Sequence, residues 1–236
     1  MDGTEKNIKS SIYFYALGVD VQFMRPCTYY VLDQDLNFVT SGILQGSSID
    51  EISQNMIRLV KSLLDQRPGE LAVGIDAPRM GLLAPRSWHW RRGRWVPRSG
   101  KERGYGRHCE VVIKALGLGN PQWTRMESDS PNWMKLGYRL FESLEDLADV
   151  YEVFPSASYR MLNNAAHPVI PLCLNGFAGQ PKDMLDACVA AYTVWALLNG
   201  RGTEVGGGDG LGTIILPEKL KVPAAHPVLQ WPEQQE

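Results

Sequence analysis

The sequence predicts an α/β fold in which one mixed β-sheet is covered by helices. Three strand-like segments come first and follow one another closely, which is typical of an antiparallel meander. After a helical segment, further strand-like segments alternate with helices, and this alternation favours parallel strands joined by crossover helices. The chain has 236 residues, of which 44% are apolar and 21% charged. This composition is ordinary for a globular protein and excludes a wholly disordered chain.

The first part of the predicted sheet is the three-stranded meander. Residues 12–20, 27–33 and 36–43 are rich in β-branched and aromatic side chains, which favour strands. The Asp-Gln-Asp sequence at residues 33–35 is typical of a turn between the second and third strands. Residues 1–11 are polar, and we expect them to form a flexible tail.

A helix and a buried strand are predicted to follow the meander. Ser48 and Glu51 have the spacing of a capping box, so a helix should begin there. Apolar residues then recur at helical spacing until Pro68 ends the helix. Residues 71–76 are a short apolar run that ends in a carboxylate, as expected for a buried strand that leads into a loop.

The second half of the chain alternates helical and strand-like segments. Pro155 is expected to end the fifth strand, and Gly200 follows the most helix-like segment of the chain, which is rich in alanine. We predict helices at 108–116, 131–147 and 182–199, strands at 150–154 and 213–216, and a flexible glycine-rich turn at 206–212.

The segments form a single predicted domain. No internal repeat or sharp linker divides the chain, so residues 12–217 are assigned to one domain, with residues 79–107 as an inserted basic loop. Residues 218–236 contain several prolines, and we expect them to lie over the surface as a C-terminal tail.

Composition also bears on location. The four cysteines form no C-x-x-C pair, so neither a disulfide framework nor a cysteine zinc site is indicated. No apolar run approaches the roughly 18 residues of a membrane span, and the polar N-terminus is unlike a secretory signal. We therefore expect a cytoplasmic protein that does not bind membranes. The sequence predicts no oligomeric state.

Five acidic residues lie at the ends of apolar segments or within them. Asp20 ends the first predicted strand, Asp76 ends the fourth, and Glu152 lies in the fifth. Asp183 and Asp186 are three residues apart at the start of the alanine-rich helix, so they project from nearly the same face. Buried carboxylates are costly without a compensating positive charge, and oxygen-only ligands favour Mg²⁺ or Mn²⁺ over zinc. Two such ions can catalyse phosphodiester hydrolysis.

The order of these motifs resembles the ribonuclease H-like fold. The motifs are GVD on the first strand, GIDAP on the fourth, YEVFPSA on the fifth, and KDMLDACVAAYT on the late helix. More narrowly, the chain resembles the "domain of unknown function 429" family of predicted nucleases. That resemblance covers residues 12–217 and includes RHCE at 107–110 and the closing GTIILP. The late helix is also similar to that of RuvC-type Holliday-junction resolvases, in which the two aspartates are metal ligands.

The resemblance implies a five-stranded mixed sheet and a site for two Mg²⁺ or Mn²⁺ ions. Asp20 would bridge the ions, Asp76 and Asp186 would each complete one, and Asp183 would bind directly or through water. Glu152 matches no ligand of the resolvases and is kept as a candidate catalytic residue without an assigned role. Many relatives have small residues after the first aspartate, whereas this chain has VQFM. This difference affects the expected width of the substrate entrance.

The carboxylates also have simpler interpretations. An aspartate at the end of a strand is often a turn or cap residue, which applies to Asp20 and Asp76 taken singly. Asp183 can cap its own helix, because acids are favoured in the first turn. Glu152 can bind a nearby arginine. The joint placement of the four aspartates is more specific than any one of them.

The inserted loop carries most of the positive charge that could attract a polyanion. Residues 79–107 contain nine basic residues and one acidic residue, a net charge of +8, whereas the rest of the chain carries −10. Arginines interleaved with aromatic rings suit phosphate contact and base stacking. A solvated loop paired with the acidic surface of the protein is the alternative. The predicted substrate-binding residues are Arg79, Arg91, Arg92, Arg94, Arg103, Arg107, Trp90 and Trp95.

Three functions compete for this sequence. A metal-dependent nuclease that acts on DNA or RNA is the first choice. A nucleotide-dependent phosphotransferase or ATPase of the same broad fold is the second, but the stretch VQFMRPC after the first strand lacks the glycines and hydroxyls of a phosphate loop. A nucleic-acid-binding module with inactive carboxylates is the third. Fold alone does not distinguish them.

Overall fold

A computed structural model describes residues 15–66, 71–163 and 181–232. The predicted flexible tail at residues 1–11 and the predicted beginning of the first strand lie outside this part of the chain. The described strands and helices, in chain order, are β1 (Tyr15–Asp20), β2 (Cys27–Asp33), β3 (Phe38–Leu44), α1 (Ile49–Gln66), β4 (Leu71–Asp76), β5 (Trp88–Arg91), β6 (Arg94–Pro97), α2 (His108–Ala115), α3 (Asn132–Leu144), β7 (Asp149–Glu152), α4 (Pro155–Leu162), α5 (Pro181–Leu198), β8 (Thr203–Gly206) and β9 (Thr213–Leu216).

A mixed five-stranded sheet with helices packed on it forms the centre of the structure, in the order β3-β2-β1-β4-β7. The meander pairs antiparallel, whereas β4 runs parallel to both β1 and β7. The predicted α/β fold with a mixed five-stranded sheet is confirmed. The segment at 213–216 is not part of this sheet, because it pairs with β8 as a separate hairpin.

One face of the sheet packs against α1 and α3. Leu17 and Val19 of β1 point to this face together with Val73 and Ile75 of β4, and all four side chains are buried. Because side chains alternate along a strand, the residues between them and after them point to the opposite face. Gly18 and Asp20 of β1 and Gly74 and Asp76 of β4 therefore share that second face.

Helix α5 covers the second face at very close range. A Cβ atom on Gly18 would lie 2.0 Å from the carbonyl oxygen of Ala187 and 2.3 Å from the nitrogen of Ala191, so only glycine fits there. The alanines of α5 are explained by this contact, because larger side chains would hold the helix away from the sheet. The start of the helix is anchored by the Thr28 hydroxyl, which donates a hydrogen bond to the Asp183 carbonyl oxygen at 2.8 Å.

A second apolar core lies beside the sheet, between α2, α4, the β8–β9 hairpin and the C-terminal segment. Val112, Ala157 and Leu216 are fully buried in it. The C-terminal segment was predicted to be a surface tail after residue 217, but Val228 is fully buried and the Trp231 ring lies 5.1 Å from that of His108. Residues up to Trp231 are therefore packed onto this core.

The inserted basic loop contains a β-hairpin that was not predicted from the sequence. Strands β5 and β6 pair antiparallel, with Trp90 opposite Trp95. Arg92 and Gly93 connect them, and both have positive φ angles of 50° and 78°. Positive φ at both central residues is the mark of a tight hairpin turn that matches the twist of the strands.

The glycine-rich stretch predicted as a flexible turn connects β8 to β9 and contacts α2. The Asp209 carboxylate accepts a hydrogen bond from the backbone N–H of His108 at 2.6 Å, and the N–H of Gly208 donates to His108 Nδ1 at 3.1 Å. No helix in the part of the chain that the structure describes is both long and apolar enough to cross a membrane.

Candidate functional site

The predicted neighbours Asp20 and Asp76 lie side by side at the carboxyl ends of two parallel strands. They are in register in the β1–β4 pair and point to the face covered by α5. A cleft of about 290 Å³ opens beside them, and Glu110 and Glu152 also line it. The prediction that the first and fourth strands are adjacent is confirmed.

Asp183 and Asp186 come from the first turns of α5. The contact of Gly18 with Ala187 fixes the helix on β1, so the preceding turn reaches the end of that strand. Both carboxylate side chains are largely buried, and most of the helix behind them is buried too. The fold thus brings the four predicted aspartates to one end of the sheet.

The electrostatics of the site reflect this crowding. Burial raises the pKa of Asp20 from 3.8 to about 6; a hydrogen bond from Gln22 acts against this rise, and the negative charges of Asp186 and Asp183 add to it. Burial raises the pKa of Asp76 well above its ordinary value, and Asp20 and Asp186 raise it further. Burial and the neighbouring carboxylates therefore disfavour the ionised forms of Asp20 and Asp76.

Several groups partly neutralise or hold the aspartates. Arg25 pairs with Asp183 at 3.0 Å, and the Lys182 ammonium pairs with Asp186. Both basic side chains are at least half exposed at the surface. The Tyr159 hydroxyl donates to Asp186 at 2.7 Å. Gln22 Nε2 donates to the two Asp20 oxygens at 3.1 and 3.2 Å.

The aspartates do not form a tight set of ligand atoms in this arrangement. Within the described ranges, the one group of three potential ligands whose atoms lie within 4.8 Å of one another is Cys109, Glu110 and Glu152. The four aspartates therefore share one end of the sheet without closing on a common point. Binding of one ion by three or more of them would require their side chains to rotate toward each other.

The Cys109, Glu110 and Glu152 group is an ion-pair network around a buried arginine. The Arg107 guanidinium has no exposed surface; Nη1 donates to Glu152 Oε2 at 2.8 Å and Nη2 donates to Glu110 Oε1 at 2.9 Å. Burial also raises the pKa of the Cys109 thiol well above its ordinary value, so the thiolate that binds metals is disfavoured. Arg107 already supplies the positive charge that these carboxylates need.

This network changes the interpretation of two predicted site residues. Arg107 was predicted to contact a substrate phosphate, but it is buried and fully engaged by Glu110 and Glu152. Glu152 is in register with Ile75, so it leaves the sheet on the face opposite Asp76. Glu152 Oε2 also accepts a hydrogen bond from the backbone N–H of Arg79 at 2.9 Å. The simpler interpretation of Glu152, as the partner of an arginine, describes its contacts.

The other predicted substrate-binding residues lie in two settings. Arg91, Arg92, Arg94 and Arg103 are exposed, and Arg91 pairs with Glu102. The Arg79 side chain is half-buried, donates to the Val150 carbonyl oxygen and lies over the Phe141 ring, with 4.7 Å between the guanidinium carbon and the ring centroid.

The two predicted stacking residues of the hairpin are partly used by the fold. The Trp90 and Trp95 rings pack edge to face, with 5.3 Å between their centroids. Trp95 also contacts the Trp231 ring at 5.0 Å and donates its indole N–H to the Pro227 carbonyl oxygen at 3.0 Å. Trp95 therefore anchors the hairpin to the C-terminal segment.

Several residues of the site were not predicted from the sequence. Gln22, Tyr159 and Lys182 each contact one of the aspartates. Glu110 was quoted within RHCE, and its spacing of three residues from Arg107 is the one local pattern that indicates their pairing. The contacts of Gln22 and Tyr159 depend on the tertiary fold and leave no comparable pattern.

Comparison with known proteins gave no match to a protein family, to a curated protein or to a solved structure. The chemistry of the site therefore follows from its own residues. Carboxylates gathered at one end of the sheet, two of which line the cleft, can bind divalent cations, and the basic surface of the inserted loop can attract an anionic substrate.

Proposed function

We propose that this protein is a metal-dependent nuclease with a ribonuclease H-like fold that hydrolyses phosphodiester bonds of nucleic acid. One observation carries the proposal: Asp20 and Asp76 are in register at the ends of neighbouring parallel strands, and α5 brings Asp183 and Asp186 to the same end of the sheet. The mixed sheet, with antiparallel strands on one side and parallel strands on the other, is compatible with such a fold.

The donor chemistry of the site fits Mg²⁺ or Mn²⁺. The raised pKa values of Asp20 and Asp76 reflect burial and repulsion from neighbouring aspartates, and a divalent cation would relieve that repulsion. Asp20, Asp76, Asp183 and Asp186 would hold two ions. Bound there, the ions would lower the pKa of a water molecule and stabilise the negative charge on the leaving oxygen.

The remaining residues position these carboxylates and admit the substrate. Gln22 orients Asp20 and Tyr159 orients Asp186 through the hydrogen bonds described above. Lys182 and Arg25 are exposed on flexible side chains, so they can move aside when an ion or a phosphate approaches. The exposed arginines of the β5–β6 hairpin would attract the polyanion that the acidic remainder of the protein repels.

Metal binding and hydrolysis can be measured on the same variants. Wild-type protein is titrated with Mn²⁺ by calorimetry and incubated with labelled single-stranded DNA, RNA and duplexes in Mg²⁺, Mn²⁺ or chelator. We expect Asp76→Asn and Asp186→Asn to lower Mn²⁺ affinity at least tenfold and to abolish cleavage, while circular dichroism stays native. Asp65→Asn, an exposed aspartate of α1, is the matched control. Unchanged Mn²⁺ affinity in both site variants, or cleavage that persists in chelator, contradicts the proposal.

A non-catalytic nucleic-acid-binding module is the second candidate. Two observations favour it. Asp183 and Asp186 pair with Arg25 and Lys182. Among the described residues, no three aspartates have ligand atoms within 4.8 Å of one another. Retention of nucleic acid without turnover in either metal would support this candidate over the nuclease.

A further inference from the structure

A second cavity, of about 420 Å³, lies between the β5–β6 region and α2. Among the residues that the structure describes, its lining includes two arginines, one lysine, one histidine and three tryptophan or tyrosine rings but no carboxylate. We call it the aromatic–basic cavity, and its defining residues are Arg86, Arg103, Lys114, Trp90, Tyr105 and Trp123. This combination is unlike the acidic cleft, so the two cavities suit different ligand groups.

The Arg86 guanidinium lacks most of the hydrogen-bond partners that it could have. Its Nε and Nη1 atoms are buried and have no hydrogen-bond partner among the described residues, and Nη2 contacts only His89 Nδ1 at 3.2 Å. Burial lowers the pKa of Arg86, which marks a guanidinium whose charge is poorly compensated. Arg107, in contrast, has two carboxylates in direct contact. An anion in the cavity would supply the missing counter-charge.

The acids that act on Arg86 from a distance are all engaged elsewhere. Glu102 pairs with Arg91, Glu110 pairs with Arg107, and Asp209 accepts from the backbone N–H of His108. None of them forms a hydrogen bond with Arg86. The cavity is therefore positively charged even though the whole chain is slightly acidic.

The aromatic wall is held in place before any ligand arrives. A Cβ atom on Gly106 would lie 2.3 Å from Cε3 of Trp123, so the indole packs directly on the backbone, and the φ of 91° at Gly106 also requires glycine. The Arg86 guanidinium carbon and the Lys114 ammonium lie 5.3 and 5.0 Å from the centroid of the Trp123 ring. Tyr105 is fixed by a hydrogen bond from its hydroxyl to Asp129 at 3.0 Å.

We propose that the aromatic–basic cavity binds a nucleotide unit, with the phosphate at Arg86, Arg103 and Lys114 and the base against Trp123. A guanidinium or ammonium group recognises phosphate, and an aromatic ring stacks on any base without reading its sequence. The two kinds of group stand together here, as they do in a nucleotide. A free nucleotide and one unit of a single strand share this chemistry.

The cavity borders the acidic cleft. Helix α2 contributes Glu110 to the cleft and Lys114 to the cavity, and the following segment contributes Gln122 to the cleft and Trp123 to the cavity. In the proposed nuclease, a strand held by the cavity would extend toward the aspartates. That use of the cavity depends on the proposed nuclease function, whereas nucleotide binding does not.

The test measures binding to the full chain in chelator, where no hydrolysis occurs. The probes are AMP, adenosine, inorganic phosphate and a fluorescein-labelled ten-nucleotide oligothymidylate. Their binding is measured by calorimetry, tryptophan fluorescence and fluorescence anisotropy. We expect two variants to lower the affinity at least tenfold for whichever nucleotide probe binds the wild type. One is the double variant Arg103→Gln with Lys114→Gln, and the other is Trp123→Leu. Lys61→Gln with Lys221→Gln removes the same charge from exposed positions elsewhere and should change affinity less than twofold.

Arg86→Met separates ligand binding from support of the fold. It removes a buried charge without an acidic partner, so we expect the melting temperature to stay unchanged or to rise while nucleotide affinity falls. A lower melting temperature with unchanged affinity would assign Arg86 to the fold alone and count against the proposal.

The probes distinguish the possible sources of the ligand. AMP and oligonucleotide bound with similar affinity would indicate a free nucleotide, and oligonucleotide alone would indicate a unit of a strand; both results support the cavity if the variants lose the affinity. Phosphate bound as tightly as AMP and unaffected by Trp123→Leu overturns the nucleotide assignment. If no probe binds, or if wild type and variants bind with equal affinity, the proposal that the cavity is a binding site is wrong. Binding without cleavage after Mg²⁺ or Mn²⁺ is added would contradict the proposed nuclease function and would still support nucleotide binding in the cavity.

Discussion

At the scale of single residues, the buried carboxylate of Asp20 makes the stability of the metal-free protein depend on pH. Its pKa rises from 3.8 to about 6 on folding, so between these values the folded state holds more protons than the unfolded state. The stability that this proton provides is complete below pH 3.8 and is lost as pH rises through about 6. At pH 7 the difference corresponds to about 3 kcal/mol of unfolding free energy.

Asp20→Asn removes this loss. In chelator at pH 7 we expect the variant to unfold in urea with a free energy up to about 3 kcal/mol above that of wild type, and the gap should narrow as pH falls toward 4.5. Asp65→Asn should change stability little at either pH. A gap that stays constant from pH 7 to 4.5 would mean that Asp20 does not titrate with a raised pKa.

Arg107 stabilises the fold, whereas the ionised Asp20 carboxylate destabilises it. Arg107 is the counter-charge of two buried carboxylates. Arg107→Met leaves Glu110 and Glu152 without that charge, and breaking a buried pair in this way costs about 3–5 kcal/mol. Urea denaturation of Arg107→Met and of Arg91→Met tests it, since the exposed Arg91 pair with Glu102 should contribute at most about 1 kcal/mol. Equal losses in the two variants would contradict the structural role of Arg107.

At the scale of elements, the contact between α5 and β1 decides where two of the four aspartates lie. Gly18→Ala adds a Cβ that would lie 2.0 Å from backbone of α5, and backbone cannot move aside as a side-chain tip can. We expect a loss of at least 2 kcal/mol in unfolding free energy, because overpacking a close contact is destabilising. Gly100→Ala is the control, since a Cβ there meets nothing within 4 Å and its φ is not positive. Equal unfolding free energies for the two variants would contradict the close contact.

The same packing predicts an effect on function that is separate from stability. If Gly18→Ala folds by lifting α5, then Asp183 and Asp186 move away from Asp20, and Mn²⁺ affinity falls although every carboxylate is present. Calorimetric titration of the folded variant measures this. Native Mn²⁺ affinity in a folded Gly18→Ala protein would show that the helix does not position the ligands.

The elements that the sequence predicted well are those with a strong local pattern. The bounds of β2, β4 and β9 agree with the prediction because apolar strands end there at turns or at a carboxylate. Helix α4 was missed because Pro155 was interpreted as a break. Proline is tolerated in the first turn of a helix, where its missing N–H has no intrahelical partner, and Pro155 is the first residue of α4.

The site was predictable where strand order alone placed a residue. Asp20 and Asp76 end two strands, and parallel pairing brings such ends together. The burial of Arg107 was not predictable, because its partner Glu152 is 45 residues away along the chain. Trp95 likewise depends on a contact with Pro227, 132 residues away. A charge or a ring in a basic loop looks available to ligands until its distant partners are known.

At the scale of the whole molecule, positive charge is concentrated in residues 79–107 and the remainder is acidic. The structure divides that loop into two parts. Arg79 and Arg107 are held by the fold, whereas Arg91, Arg92 and Arg94 stand exposed on the β5–β6 hairpin. The positive charge that is free to attract a polyanion therefore lies on the exposed part.

If these three arginines contact phosphates, each contact releases counterions, and the logarithm of affinity falls with the logarithm of salt by about 0.7 per contact for a single strand. Replacing all three by alanine should weaken oligonucleotide binding in chelator and make the salt slope shallower by up to about 2, while Mn²⁺ binding stays unchanged. Arg58, Lys61 and Lys221, replaced together by alanine, remove equal charge from outside the loop and should leave most of the slope. Equal slopes in wild type and hairpin variant would make the loop a charged surface only. Trp95→Ala cannot serve as the stacking test expected from sequence, because it would also detach the hairpin from Pro227 and Trp231.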